Sequence, residues 1–160
     1  MKEVPLNHGK VALVDDADFP AVSQLRWIAR KTANSNIWYA HTTTKPILLL
    51  HHFLLGKPPK GFVIDHVNGD GLMNTRANLR VCTQKENMKN QRQHRDSKSP
   101  FKGIWRAQHC DRWAAQLVCN RKKIYLGLYK EPEDAARAYD RKAIELFGPF
   151  ARLNFPQAAA

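Results

Sequence analysis

The sequence predicts an α+β protein built from several small antiparallel sheets, and two observations support this prediction. Short alternating apolar runs recur along the chain between clusters of Gly, Asn, Asp and Pro, which is typical of short strands joined by turns. Residues 132–148 carry apolar side chains at helical spacing. We expect a strand-rich N-terminal segment, then a strand–loop–strand–helix core, then a three-stranded antiparallel sheet packed on one helix.

The first 50 residues or so are predicted to be rich in strands. KVALVD (10–15) alternates between apolar and polar side chains, and WYAHT (38–42) places strand-forming residues beside Asn and Ser turn signals. We expect Trp27 and Trp38 to pack in a core rather than to stack on a ligand. This segment by itself indicates no function.

The middle of the chain predicts a strand–loop–strand–helix unit. Two strand-like runs flank a turn: GFVIDH (61–66), GDG (69–71) and NLRVC (78–82). Thr83 and Glu86 have the spacing of a capping box, which predicts that a helix begins at Thr83. This helix would carry Asn87 in its first turns.

A second domain is predicted after the polar linker RDSKSP (95–100), which places the two domains at 1–96 and 97–160. Its expected elements are strands at 103–107, 113–119 and 123–129, a tight turn at 120–122 and a helix from Pro132 to Gly148.

Alternation in the third of these strands divides its side chains between two faces. Ile124, Leu126 and Leu128 are predicted to share the face that packs on the helix. Lys123 and Tyr125 are predicted to lie on the other face.

The charge distribution indicates a polyanionic partner. The net charge is +12, and residues 80–130 hold 13 Lys and Arg against three acidic residues, a net of +10. Trp and Tyr side chains interleave with these basic residues, which suits contacts to the phosphates and the grooves of a nucleic acid. An anionic membrane surface and a plain solvated basic face are the alternatives.

Cysteine usage and hydropathy narrow the class of protein. Three cysteines without a C-x-x-C pair argue against a disulfide framework and a structural zinc site, and favour a reducing compartment. The N-terminus has no signal-peptide core, and the longest apolar run, ILLLHHFLL (47–55), is too short to span a bilayer. We therefore expect a cytoplasmic protein with no membrane partner.

Asp65 and His66 stand side by side where an apolar run ends and a polar loop begins. Phosphodiester hydrolysis needs an activated water molecule and positive charge near the scissile phosphate. A neutral histidine can accept a proton from water near pH 7, and carboxylate and amide oxygens, such as that of Asn87, are hard ligands for a divalent metal. Because neighbouring strand residues point to opposite faces, Asp65 and His66 can share a site only where the strand ends.

The stretch DHVNGDGLMNTRANLRVCTQKEN (65–87) resembles the HNH motif of phage and intron homing endonucleases, which have the ββα-metal nuclease fold. LHHFLLGKPP (50–59) is similar to the lead-in of that motif, which places the motif at 51–94. The resemblance implies that His66 is the general base and that Asp65 and Asn87 hold one divalent metal. It also implies that Asn78, the central asparagine, holds the loop and orients the histidine.

Several neighbouring positions are interpreted as structural. His51 matches a family position before the motif, and its apolar surroundings indicate packing. His52 and Met73 stand where the subfamily often has an arginine and an acidic residue, and neither departure removes a catalytic group. We expect Asn68 and Asn74 to be turn residues.

Residues 101–155 resemble the Apetala/ethylene-response-factor DNA-binding domain of plants. The most similar pieces are WAAQL (113–117), YLGLY (125–129), AARAYD (135–140) and LNFP (153–156). The resemblance implies a three-stranded sheet laid into the major groove of duplex DNA, with these residues on the DNA face: Lys102, Trp105, Gln116, Val118, Lys123 and Tyr125. Because the plant pattern favours arginines where this chain has Trp105 and Val118, bidentate arginine–guanine contacts are missing there.

Further basic residues are candidates for contacts to DNA phosphates. In the C-terminal segment the candidates are Arg106, Arg112, Arg121 and Lys122. The alternative is that these side chains are simply solvated by water and contact no phosphate. Lys89 and Arg92, in the basic link from 85 to 102, are predicted to lie along the DNA backbone.

These features predict a metal-dependent HNH endonuclease of the homing type that hydrolyses duplex DNA with one Mg²⁺ or Mn²⁺ ion. One active site cuts one strand, so a monomer would nick DNA, whereas a double-strand break needs a dimer or a second event. A catalytically inactive DNA-binding regulator is the alternative, and an RNA-directed protein is a weaker one. The expected setting is the cytoplasm of a bacterial or phage-infected cell.

Overall fold

The computed structural model describes residues 1–32, 37–91, 97 and 99–156. Its elements are short strands in four antiparallel sheets together with a few helices. The predicted α+β class is therefore confirmed.

The chain divides into two compact units, Met1–Asn87 and Met88–Ala160. The second unit includes residues just after Asn87 because the Lys102 ammonium group donates hydrogen bonds to the carbonyl oxygens of Lys89 (3.2 Å) and Gln91 (2.6 Å). The predicted domain limits of 1–96 and 97–160 stay a prediction, since residues 92–96 and 98 lie outside the described part of the chain.

Two antiparallel hairpins open the first unit. Their strands are β1 (Lys2–Pro5), β2 (Val11–Val14), β3 (Trp27–Lys31) and β4 (Trp38–Thr42). The strand-rich N-terminal segment is therefore confirmed. The short helices α1 (Phe19–Val22) and α2 (Leu50–Leu55) were not predicted, because a short apolar run does not distinguish a helix from a strand.

A small apolar core joins these hairpins and helices. Trp27 is buried, and its indole N–H donates to the carbonyl oxygen of Val22 at 2.9 Å, which satisfies the polar edge of the ring. Trp38 is half-buried, with the ammonium nitrogen of Lys10 4.6 Å from its ring centroid. Both tryptophans are packing residues, as the sequence predicted.

A third hairpin and a short helix follow in the first unit: β5 (Phe62–His66), β6 (Leu79–Thr83) and α3 (Gln84–Asn87). The Glu86 carboxylate accepts a hydrogen bond from the Thr83 backbone N–H at 2.8 Å, and the Thr83 hydroxyl oxygen accepts one from the Glu86 N–H at 3.2 Å. The predicted capping box is therefore confirmed. The α3 helix packs against β5 and β6, which brings Asn87 beside the hairpin.

The second unit is a three-stranded antiparallel sheet with one long helix. Its elements are β7 (Ile104–Arg106), β8 (Trp113–Cys119), β9 (Lys122–Tyr129) and α4 (Pro132–Phe147). Asn120 and Arg121 have φ angles of 50° and 64°, as the predicted tight turn between β8 and β9 requires. Among the described helices, none is long and apolar enough to cross a membrane.

A β-bulge interrupts the pairing of β8 with β9. Gln116 pairs with Tyr125, but the preceding residue, Ala115, pairs with Gly127. Leu126 is therefore an extra residue in β9. A bulge of this kind reverses the side-chain alternation on its far side.

The bulge corrects the predicted faces of β9. Ile124 and Leu126 pack on the core beneath α4 as expected, and Tyr129 joins them there. Leu128 instead lies 42% exposed. The prediction that Leu128 shares the face of Ile124 and Leu126 is therefore wrong, because the extra residue turns its side chain to the opposite side of the sheet.

Candidate active site and nucleic-acid interface

Asp65 and His66 are the last two residues of β5, and both are buried. Asp65 is the register partner of Arg80 in β6, whose Nε and Nη2 donate to Oδ2 of Asp65 at 2.9 and 2.7 Å. The side chains of Asp65 and Arg80 are only 7% and 18% exposed. The guanidinium group therefore compensates a carboxylate that is largely shielded from water.

His66 is held by the side chain of Asn74. Nε2 of His66 lies 3.2 Å from Oδ1 of Asn74, and the Asn74 amide nitrogen donates to the carbonyl oxygen of Gly71 at 3.3 Å. Because an amide oxygen can only accept, the first hydrogen bond requires a proton on Nε2 of His66. In the neutral imidazole, Nδ1 is then the basic nitrogen.

Asn78 holds the loop and does not supply this contact. Its amide nitrogen donates to the carbonyl oxygen of Met73 at 2.7 Å and to Oδ1 of Asn68 at 3.0 Å, and its own Oδ1 accepts from the Asn68 backbone N–H at 3.0 Å. Asn74, which was expected to be a turn residue, is instead fully buried against His66. The resemblance implied that Asn78 does two things, hold the loop and orient the histidine. In the structure Asn78 holds the loop, and Asn74 makes the contact to His66.

Asn74 reaches the histidine because β2 holds this part of the loop. The Asn74 backbone N–H donates to the carbonyl oxygen of Leu13 at 2.7 Å, and the Leu13 N–H donates to that of Leu72 at 2.9 Å. The Arg76 backbone N–H donates to Oδ2 of Asp15 at 2.7 Å. These contacts join residues that are far apart in sequence, so no local pattern around Asn74 could have revealed them.

Three histidines and a tyrosine form a ring cluster beside Asn74. The ring centroid of His51 lies 5.1 Å from that of His66, 4.6 Å from that of His52 and 5.7 Å from that of Tyr39. Tyr39 is also 5.8 Å from His66. The N-terminal hairpin therefore contributes Tyr39 to the site, a residue that no sequence signal had singled out.

Burial controls the protonation of the two buried histidines. It lowers the pKa of His66, against the opposing effects of the hydrogen bond to Asn74 and of the Asp65 and Asp70 charges. The imidazole is therefore neutral at pH 7, as a proton acceptor must be. Burial, together with charge on His66 and other nearby histidines, lowers the pKa of His51 to about 3.

The depressed pKa of His51 makes acid unfolding a test of the ring cluster. Below its ordinary pKa of 6.5, the unfolded chain takes up a proton that folded His51 rejects, so this contribution to stability is complete above pH 6.5 and falls as the pH drops toward 3. His51→Phe keeps a ring and removes the titration. We expect the variant to lose less unfolding free energy between pH 6.5 and 4, by up to about 1.4 kcal/mol per pH unit.

Urea unfolding followed by NMR at the Trp27 indole N–H measures this difference within the first unit. His109→Phe, at an exposed histidine, is the matched control and should retain the steep acid dependence of the wild type. Equal acid slopes for His51→Phe and the wild type would mean that His51 titrates normally in the folded protein.

Gly71 lets the loop lie against the N-terminal hairpin. A Cβ atom at this position would stand 2.5 Å from the backbone oxygen of Trp38 and 2.6 Å from two atoms of the Tyr39 ring. We expect Gly71→Ala to lower the unfolding free energy by about 1–3 kcal/mol, because β4 and the loop must separate. Displacement of Tyr39 from His66 should also slow nicking of a supercoiled plasmid.

Gly61→Ala is the control for Gly71→Ala. Gly61 has a φ of +91° but no atom within 4 Å of an added Cβ, so the substitution strains the backbone without a clash. It should lower stability in urea by about 1 kcal/mol and leave the nicking rate unchanged. A Gly71→Ala variant as stable and active as the wild type would contradict the close approach of Tyr39.

The pKa of the Cys82 thiol is affected by both predicted metal ligands, Asp65 and Asn87. Cys82 lies two residues after Arg80 in β6, on the same face as the Asp65–Arg80 pair. Burial raises the pKa of the Cys82 thiol, the Asp65 charge raises it further, and a backbone hydrogen bond from Asn87 opposes them.

The predicted donor set suits a hard divalent cation, since it consists of the Asp65 carboxylate at the loop end of the β5–β6 hairpin and the Asn87 amide oxygen at the end of α3. Within the described ranges, no group of three or more His, Cys, Asp and Glu residues could hold a metal ion. An Asp–Asn pair would therefore leave most of the coordination to water and phosphate, as Mg²⁺ sites commonly do.

Five of the six residues that were predicted for the DNA face share one side of the sheet. The side away from α4, here called the open face, consists of Trp105, Ala114, Gln116, Val118, Lys123, Tyr125 and Leu128. Four of its predicted residues, Trp105, Val118, Lys123 and Tyr125, are exposed, and Gln116 is half-buried. Leu128, which was assigned to the core, is an addition to this face.

Lys102 is directed away from the open face. Its ammonium group donates to the carbonyl oxygens of Lys89 and Gln91, and its backbone N–H donates to Oδ1 of Asn154 at 2.6 Å. Burial and the Arg152 charge lower the pKa of Lys102 to about 8. Lys102 is therefore a structural connection within the second unit, and the structure does not group it with the other predicted contacts.

The other basic residues that were predicted to contact DNA phosphates do not lie together on one surface. Arg106 forms an ion pair with Asp111 and lies 5.4 Å from the ring centroid of Trp113, on the side opposite Trp105. The ammonium nitrogen of Lys89 is 5.2 Å from the ring centroid of Phe147. Exposed basic side chains remain at Arg112, Arg121 and Lys122. Arg92 lies outside the described residues.

Comparison with known proteins bears on both units. Residues 52–89 match a family model described as HNH endonuclease, and this segment contains Asp65, His66, Asn78 and Asn87. An uncharacterised HNH endonuclease of Acanthamoeba polyphaga mimivirus is 29% identical over 151 residues, which are 91% of this chain and 75% of that protein. HNH nucleases generally use a divalent metal ion.

Two ethylene-responsive transcription factors of Arabidopsis thaliana are also similar to parts of this chain. One is 36% identical over 101 residues, which are 60% of this chain and 61% of that protein. The other is 47% identical over 60 residues, which are 36% of this chain and 32% of that protein. The chain thus spans less than two thirds of either plant protein.

These matches confirm both resemblances seen in the sequence, to HNH endonucleases and to the Apetala/ethylene-response-factor DNA-binding domain. The class of protein that the matching family model describes is the HNH endonuclease. The chain carries one segment, residues 52–89, that is similar to this family.

Proposed function

We propose that this protein is a metal-dependent endonuclease of the homing HNH type that hydrolyses phosphodiester bonds of duplex DNA inside the cell. The observation that carries the proposal is the buried His66 at the end of β5, with its Nε2 hydrogen-bonded to Asn74 and its neighbour Asp65 on the same hairpin. The HNH match over residues 52–89 supports the reaction class, and the similarity to plant transcription factors supports DNA as the substrate.

His66 acts as the general base. Since the hydrogen bond to Asn74 requires the proton on Nε2, Nδ1 accepts the proton of the attacking water, and the new P–O bond forms as the bond to the leaving oxygen breaks. The negative charges of Asp65 and Asp70, which raise the pKa of His66, stabilise the imidazolium that results. Asn74 keeps the ring in one tautomer and one orientation.

Asp65 and Asn87 would hold one Mg²⁺ or Mn²⁺ ion, and Asn78 keeps the loop between them in place. The ion supplies the positive charge that a phosphate and a departing oxygen require. Arg80 competes for the Asp65 carboxylate, since its Nε and Nη2 donate to Oδ2. One active site cuts one strand at a time, so a single copy of the chain would nick DNA.

A supercoiled plasmid tests the proposed function. Purified full-length protein with Mg²⁺ or Mn²⁺ should convert the plasmid to open circles, and EDTA should abolish the conversion. The His66→Ala protein serves as the control for a contaminating nuclease. Tight plasmid binding by the wild type without any metal-dependent open circles would overturn the enzyme assignment.

A DNA-binding regulator without catalytic activity is the second candidate. It is favoured by the similarity to two proteins named as transcription factors and by the ion pair that Asp65 already makes with Arg80. The plasmid assay separates the two candidates, because the regulator would bind DNA equally well with EDTA and would leave it supercoiled.

A further inference from the structure

The open face of the second unit exposes several large apolar side chains that are grouped together. Trp105 is 41% exposed, Val118 56%, Tyr125 59% and Leu128 42%. Large apolar side chains that are grouped on one exposed surface mark a site of interaction. The β-bulge adds Leu128 to this group by reversing the alternation of β9.

Register arranges these side chains in three rows across the sheet. Trp105, Ala114 and Leu128 are direct neighbours in the first row, with the small buried alanine between two large exposed side chains. Gln116 faces Tyr125 in the second row. Val118 faces Lys123 in the third row.

The charge around this surface identifies a polyanion as its occupant. Residues 80–130 carry a net charge of +10, and exposed basic side chains surround the sheet at Arg112, Arg121, Lys122 and Lys130. A basic rim around a sheet that presents side chains from three strands suits a DNA groove, where the rim contacts phosphates and the centre contacts base edges.

The centre of the open face lacks the group that reads guanine best. Bidentate contacts to guanine come from Arg or Lys. Along β7, β8 and β9, the open face has one cation, Lys123, in the outer row, and Arg106 lies on the other side with Asp111 and Trp113. The first and second rows therefore lack the Arg or Lys side chain that makes the favoured bidentate contact to guanine.

The side chains that are present match the edge of an A·T base pair. The 5-methyl group of thymine is the apolar feature of the major-groove edge, and apolar side chains contact it, whereas a glutamine can bind N6 and N7 of adenine at the same time. Gln116 and Val118 are two residues apart in β8 and thus separated by about 7 Å, roughly two base-pair steps of 3.4 Å.

We propose that the open face recognises thymine 5-methyl groups in the major groove of A·T base pairs, with Val118 and Leu128 as methyl contacts and Gln116 as the adenine contact. This inference rests on the proposed function, because it specifies which DNA the nuclease prefers. Trp105 and Tyr125 extend the apolar surface on either side, and Lys123 binds a phosphate.

Replacement of thymine by uracil tests the inference, since it removes the methyl group and keeps base pairing. Two random-sequence duplex pools, copied with dTTP or with dUTP, are compared by fluorescence anisotropy with the full-length protein in EDTA. Each methyl lost from an apolar contact should weaken binding about threefold to fourfold. A G·C-rich pool copied with 5-methyl-dCTP should bind more tightly than the same pool with unmodified cytosine.

Substitutions on the open face test whether this surface causes the difference in affinity between the two DNA pools. Val118→Thr, which keeps the shape of valine and adds a hydroxyl group, should reduce the ratio of the two dissociation constants. Val81→Thr makes the same change at a 47% exposed valine of β6 and should leave the ratio unchanged. Lys123→Gln should weaken binding to both pools equally.

The outcomes separate this inference from the proposed function. Equal affinity for the two pools, or a preference for unmethylated G·C-rich DNA, would overturn thymine recognition while DNA binding and metal-dependent nicking stand. Absence of binding to every duplex would overturn both. Binding of a protein to the open face with no contribution of Val118 to DNA affinity would also overturn the inference.

Discussion

Replacement of His66 by alanine is expected to lower the single-turnover rate of plasmid nicking by about 10²–10⁴-fold, the usual contribution of a general base. The expectation follows from the position of Nδ1, which is the basic nitrogen of a neutral ring held through Nε2 by Asn74. DNA affinity should remain unchanged, because the imidazole acts on water and not on the duplex.

Chemical rescue distinguishes a lost base from a damaged fold. Added imidazole should restore part of the His66→Ala rate, since the substitution leaves a space where the ring was buried. His52→Ala is the matched control, because the His52 ring packs against His51 at a centroid distance of 4.6 Å. A His52→Ala rate as low as that of His66→Ala, or a His66→Ala rate equal to that of the wild type, would show that the base is a different residue.

Replacement of Asp65 by asparagine should abolish metal-dependent nicking and also destabilise the first unit. The variant removes the only charged ligand of the proposed metal site, so Mn²⁺ binding measured by electron paramagnetic resonance should be lost. It also leaves Arg80 without its carboxylate partner in a largely buried position. Because 18% of the Arg80 side chain is exposed, we expect a loss of about 1–3 kcal/mol, less than for a fully buried pair.

A second substitution separates the two consequences. Asp65→Asn combined with Arg80→Met removes the stranded charge and keeps most of the apolar stem, so urea unfolding should recover at least half of the lost free energy. The double variant should stay inactive and should bind no Mn²⁺. Recovery of nicking in the double variant would mean that Asp65 serves only as the partner of Arg80.

Asp18→Asn provides the matched control for Asp65→Asn. Asp18 accepts hydrogen bonds from Arg76 at 2.9 and 2.7 Å, but 57% of the Arg76 side chain is exposed. Breaking this pair should cost much less stability than Asp65→Asn and leave both nicking and Mn²⁺ binding unchanged, because solvent screens the exposed guanidinium group.

Local patterns were sufficient where the decisive interactions are local. The capping box of Thr83 and Glu86, the tight turn at 120–122 and the long helix from Pro132 depend on residues a few positions apart, and the structure contains all three. The placement of Asp65 and His66 at a strand end was likewise predictable, because a turn-forming loop follows them directly.

Where the decisive contact joins distant residues, local patterns failed. Asn74 was read as a turn residue because its neighbours are polar, yet its backbone is held by Leu13 and its side chain by His66. Leu128 was assigned to the core because strict alternation was assumed, and the bulge opposite Ala115 and Gln116 reversed it. Bulge positions depend on the pairing of two strands, which one strand cannot reveal by itself.

The sequence by itself was enough to predict the reaction class and the partner that we propose, since an Asp–His pair, spaced asparagines and a net charge of +10 in one stretch depend only on residue type and spacing. Tertiary structure alone decided which asparagine orients His66, which tyrosine lines the site and which side chains form the open face. The physical reason is that hydrogen bonds and ring contacts act over a few ångströms in space, so their partners are set by the packing of hairpins and the register of strands.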